Sequence, residues 1–77
     1  MKKLSEIQQG QTVVVHSFAD DEIVLKLMEM GCLPGEKISV EKIAPFGDPI
    51  SIIIAGYHLS LRLDEASKIY VEDYVTY

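Results

Sequence analysis

A single cysteine stands among the 77 residues, so no disulfide can form within the chain. That scarcity fits a reducing compartment. Basic residues are few as well, seven against twelve acidic ones, for a net charge of −5. They are scattered, and only Lys2 and Lys3 are adjacent. Nucleic acid needs a clustered Lys/Arg footprint to neutralise phosphates, so it is not an expected partner. An anionic membrane surface is disfavoured for the same reason. Long apolar runs are missing too, and none approaches the roughly 20 residues that span a bilayer, so no membrane insertion is expected. The opening "MKKLSEIQQGQ" has two lysines and then turns polar, unlike a signal peptide. The expected location is the cytoplasm. Enzyme signals are lacking: there is no phosphate-cradling glycine loop and no Gly-x-Ser-x-Gly. The two histidines share no short ligand spacing such as His-x-x-x-His. No enzyme is expected.

What is present is a chain 48% hydrophobic and 25% charged, enough for one small core. At this length only roughly 60% of the unfolded surface is buried on folding, so a deep cleft would compete with the core for residues. Leu4 and Ile7 read as a lead-in, Gly10 as a turn, and the β-branched run Thr12 to Val15 as a strand. "SFADDEIVLKLMEMG" is the one good helix. Ser17 or Asp20 can cap it, and Asp20, Asp21 and Glu22 put negative charge at its positive end. Ile23, Val24, Leu27, Met28 and Met30 form its apolar stripe, with Met28 expected inward and Met30 open. Glu22 and Lys26 have the favourable i,i+4 spacing, and Gly31 is the expected end signal.

"LPGE" reads as a type II turn with Pro34 and Gly35 at its centre. "KISVEKI" and "ISIIIA" read as strands, with Ile50, Ile52 and Ile54 on one face and Ser51, Ile53 and Ala55 on the other. Between them, "APFGDPI" fits a stiff hairpin. Pro45 and Gly47 suit a type I turn, and Asp48 can close the loop on nearby backbone. "HLSLRL" alternates, with Leu59, Leu61 and Leu63 expected inward. "DEASK" reads as one helical turn capped by Asp64, and "IYVE" as a last strand. The chain is therefore expected to be mainly β, with five short strands and one helix. So small a sheet covers its edges best by closing into a barrel, with the helix over one opening.

The order "LKLMEMGCLPGEKISV" then "APFGDPISIIIAGYHLSLRLDEASKIYVE" resembles the FeoA family, ferrous iron transport protein A. The resemblance runs from about Leu4 to Glu72. It rests on Met30-Gly31, Leu33-Pro34-Gly35, Pro45-Phe46-Gly47-Asp48-Pro49, Gly56-Tyr57, Leu61-Arg62 and Glu65-Ala66 in combination. It implies a five-stranded SH3-like β-barrel with one inserted helix and a short helical turn before the last strand. On that resemblance residues 1–77 would form one FeoA-like domain, with 72–77 as a short extension. The implied role is that of a cytosolic accessory protein of ferrous iron uptake. It would be an interaction module for the cytoplasmic GTPase part of FeoB, a membrane ferrous iron transporter. The same barrel ends metal-dependent transcriptional repressors, whose other domains this chain has no room for. The family supplies no catalytic, metal or partner residue to carry over.

Partner-contact candidates are therefore chosen on the residues. Phe46, at a hairpin tip, must either fold back onto the barrel mouth or meet a partner. Asp48 shares its loop, Met30 is adaptable, and Ile53 lies on an outer strand face. The alternative function is binding or sensing of iron, with a weakly held ferrous or other divalent transition metal. Its candidate ligands are His16, Asp20 and Cys32. The plainer reading is that Asp20 caps a helix, the histidines are solvated and Cys32 is a structural thiol, since it follows a helix C-terminus. The aromatic tail, Tyr70, Tyr74, Val75 and Tyr77, leaves homo-oligomer formation open.

Overall fold

The computed structural model describes residues 1–74, and the expectation for the tail at 75–77 lies outside them. In chain order the elements are β1 (Lys2–Lys3), a 3-10 turn (Leu4–Glu6), β2 (Thr12–Phe18), α1 (Asp21–Glu29), β3 (Lys37–Ile43), β4 (Ile50–Ile54), β5 (Tyr57–Leu61), α2 (Leu63–Ala66) and β6 (Ile69–Asp73). All described strands join one antiparallel sheet in the order β1-β6-β2-β3-β4-β5. Six strands thus stand where five were expected. The extra one is β1, where Lys2 and Lys3 pair with Val71 and Tyr70. The ladder stays open, because β1 and β5 stand at its two ends and do not pair with each other. β1 is too short to reach further, and β5 stops where the chain bends into α2. Leu4, Leu27 and Ala66, from outside the strands, join the buried core instead.

Period-two alternation sets the sheet's two faces. Ile50, Ile52 and Ile54 of β4 are buried, while Ser51 and Ile53 are only half-buried. β4 is flanked on both sides, so its inner row meets Ile38 and Val40 of β3 and Leu61 of β5. Leu63 departs from the expected alternation. It is the first residue of α2 and is exposed, so the strand pattern ends at Leu61.

Local chemistry places the connections. Glu36 N–H donates to Leu33 O at 3.0 Å, and Gly35 takes the φ of +92° that the turn requires. The turn docks on β2 through Gly35 N–H to Val15 O at 2.8 Å and Val15 N–H to Glu36 O at 2.9 Å. Gly47 N–H donates to Ala44 O at 2.7 Å, the closure expected of the β3–β4 hairpin. Two bulges interrupt the pairing. His16 is the extra residue between β2 and β6, and Glu41 between β3 and β4. Such insertions re-aim a side chain away from the ladder.

Truncation of the inner row is expected to be costly. Ile52→Ala should lower the free energy of unfolding by about 2–5 kcal/mol in urea titration. Ile53→Ala, one residue on and half-buried, should cost less than about 1.5 kcal/mol. Equal losses would contradict the assignment of faces.

Candidate partner-binding surface

α1 is built as expected at its start. Asp20 is the cap, and its Oδ1 accepts the Ile23 N–H at 3.1 Å. Ser17 takes no part in the cap and instead lies in β2. The buried face is narrower than the expected stripe. Ile23 and Leu27 point inward, and Met30 packs partly against the core. Met28 faces solvent at 44% exposure. The expected inward Met28 is thus corrected: at about 100° per residue, Met30 falls about 20° from Ile23, whereas Met28 falls about 100° from Leu27.

α2 ties the outer elements together. Glu65 Oε1 accepts the Arg62 N–H at 3.1 Å, and its other oxygen takes the Lys26 ammonium of α1. Lys26 therefore pairs across space, in place of the expected Glu22 on its own helix. Glu65 offers the better partner because its side chain is only 13% exposed and already oriented by the backbone. The Lys26 hydrogen bond, then the Arg62 N–H, holds the Glu65 carboxyl below the usual range, against the opposing effect of burial. A second strut joins Lys68 Nζ to Asp20 Oδ2 at 3.7 Å, beside Ala19 N–H to Lys68 O at 2.8 Å.

The β3–β4 hairpin carries Phe46 at its tip. The ring is 97% exposed, so it does not fold back on the core. Asp48 does not close its own loop. Its Oδ1 accepts the Leu63 N–H at 3.0 Å, satisfying a free donor at the start of α2 and anchoring the hairpin there. Asp64, the expected cap, lies inside the first turn instead. Ile53 is half-buried on the outer sheet face, between Ser39 and His58. The candidates Phe46, Asp48, Met30 and Ile53 therefore do not form one patch. Phe46 is the one that stands free.

The metal candidates do not converge. His16, at its bulge, has Nδ1 2.9 Å from Ser17 Oγ and Nε2 4.0 Å from Glu72 Oε1. Asp20 is occupied by its cap and by Lys68. Cys32 is buried, and burial, reinforced by Glu36, pushes its thiol up to about 11. A thiol held protonated is a poor ligand. Among the described residues no three His, Cys, Asp or Glu side chains gather as a metal site would need. These residues do not fit a resident metal. A contact absent from the sequence reading is His58 Nδ1 to Glu41 Oε2, 2.8 Å apart on the outer face. Also missed was Leu25, which is 66% exposed on α1. Its position opposite Leu27 on the helix wheel was the available signal.

Residues 2–73 match the family model described as the FeoA domain. A curated relative from Porphyromonas gingivalis, an Fe(2+) transport protein A/Fe(2+) transporter FeoB fusion protein, is 38% identical over 71 residues. That match covers 91% of this chain and 8% of the relative, so the chain spans a small part of that protein. Among solved structures, the FeoA-like protein of Clostridium acetobutylicum superposes with a TM-score of 0.87 at 37% identity, covering 100% of this chain and 94% of that one. FeoA of Stenotrophomonas maltophilia, solved with zinc and described as a procaryotic SH3 domain protein, gives 0.80 at 28% identity, covering 94% and 91%. The expected SH3-like fold is thus found, with its sheet open between β1 and β5.

Two outcomes follow from these environments. At pH 7.5 the folded Cys32 thiol should react with iodoacetamide about 100-fold more slowly than in denaturant, because burial raises it from 9.0 to about 11 and leaves far less thiolate. Its protonated state stabilises the fold fully below pH 9.0, and that contribution is lost as pH rises toward about 11. Rapid labelling of the native protein would contradict this burial. Glu65→Ala should cost about 1–2 kcal/mol at neutral pH by urea unfolding, modest because the Lys26 end is exposed. Its lowered carboxyl pKa means the wild-type advantage is present above 4.5 and fades as pH falls below it. A gap that widens in acid would refute the pairing.

Proposed function

The chain belongs to the FeoA family, and from that premise we propose that it is a cytosolic, non-enzymatic accessory of ferrous iron uptake. Its partner is the cytoplasmic GTPase part of a FeoB-like transporter. The observation that carries this reading is the fusion in Porphyromonas gingivalis, where a related domain and the transporter share one polypeptide. Covalent linkage makes the meeting of two modules intramolecular and raises their effective concentration, which is useful where they act on each other. No helix among the described residues is long and apolar enough to cross a membrane, so the transporter supplies the membrane part. Iron in this reading is the transporter's cargo, and this chain acts by contact with the protein that moves it.

The hairpin tip supports that role physically. An aromatic ring almost wholly in water gains by burial in a partner's pocket. Its loop is already stiff, with Pro45 and Pro49 flanking it and Asp48 anchored to α2, so little entropy is left to lose on docking. Iron binding by this chain, the alternative, is left with three separated candidates. Anaerobic titration with ferrous ion should show no stoichiometric site at micromolar concentration.

The partner reading is tested by calorimetric titration with the isolated cytoplasmic part of the transporter from the same organism. Phe46→Ala should weaken binding by about tenfold or more while leaving the thermal midpoint unchanged, since the ring touches no core residue. Absence of binding by the wild-type protein at high micromolar concentration would sink the reading.

A further inference from the structure

We propose that the outer face of α1 is a second docking surface, which receives a basic segment of the transporter's cytoplasmic part carrying an exposed apolar side chain. The proposal rests on the partner reading above. Its starting point is an apolar ridge with no cover. Leu25 is 66% exposed and Met28, one turn on, 44%. At about 100° per residue Leu25 lies opposite the buried Ile23 and Leu27, with Met28 beside it. Neither side chain serves the core, and both cost solvation where they stand.

The rim of the ridge is acidic and unneutralised. Asp21 and Glu22 lie a turn before Leu25, and Glu29 a turn after it. None of the three enters an ion pair among the described residues. The bases nearby are already engaged, Lys26 by Glu65 and Lys68 by Asp20. Asp21 and Glu22 have a structural role, because carboxylates stabilise a helix N-terminus. Glu29 does not: it sits in the last turn, where the dipole disfavours negative charge. Helix stability therefore does not account for the whole rim.

An apolar ridge bounded by free carboxylates complements an apolar side chain flanked by Lys or Arg. It does not complement itself. A two-fold contact between copies centred near Leu25 would set Glu22 of one copy against Glu29 of the other, acid against acid. The face is also held still, since Lys26–Glu65 and Asp20–Lys68 pin α1 to the α2 region. The occupant meets a preformed surface.

The test titrates the full chain with the transporter's cytoplasmic part at low and high salt, using wild type, Leu25→Ser and the double variant Glu22→Lys, Glu29→Lys. All altered side chains are exposed, and thermal melting checks that each variant is folded. Leu25→Ser is expected to weaken binding by about fivefold or more. The charge reversal should weaken it by about tenfold at low salt, with the difference shrinking at high salt. Unchanged affinity for both variants, with binding still weakened in Phe46→Ala, would overturn this inference alone and leave the partner reading intact. Failure of the wild type to bind would overturn both. Sedimentation showing a wild-type dimer that Leu25→Ser dissociates would assign the ridge to a second copy and overturn the proposal.

Discussion

The buried side chains described in this domain are all apolar, and a fold of this size needs them. The row Ile50, Ile52 and Ile54 lies at the centre of that arrangement: alternation along β4 turns these three into the core and Ser51 and Ile53 to the other face. Buried residues of β2, β3, β5 and β6 join that row in one apolar cluster, and none of the described polar residues is buried with them. Polar chemistry is therefore displaced to the outside, onto loops, helix surface and bulges. A small domain that cannot spare interior volume acts by what it presents.

What it presents is braced by three polar struts that meet around α2. Glu65 reaches Lys26, Lys68 reaches Asp20, and Asp48 reaches back from the β3–β4 hairpin to Leu63 N–H. None is buried deeply enough to contribute much alone. Together they fix two of the elements that carry exposed apolar side chains, the Phe46 tip and the α1 face. The hairpin and the helix are distant in sequence, yet both are referred to the same four-residue helix.

Legibility in the sequence followed the range of the interaction. The β4 alternation, the Pro34–Gly35 turn and the Asp20 cap were read correctly because each is decided within a few residues. β1 was missed because two lysines have no strand signal, and only Tyr70 and Val71 make them one. The Asp48 and Lys26 contacts span 15 and 39 residues and have no local trace. The bulges at His16 and Glu41 depend on register, which alternation alone does not specify. Met28 was misplaced and Met30 left open because both were compatible with a broad stripe, and the buried face of the helix is narrower than that. Family motifs located the hairpin as distinctive. Only its geometry resolved that Phe46 stands in solvent.

On the proposed reading this domain acts through the Phe46 tip and the α1 face, and not through an internal site. Amide chemical-shift mapping tests it most directly: a labelled sample of the chain is titrated with the transporter's cytoplasmic part. Perturbations concentrated at Phe46, Gly47 and Asp48 and along the outer positions of α1 are the expected result. A wild-type sample that shows no perturbation, or shifts confined to the outer face of β4 and β5, would contradict the claim.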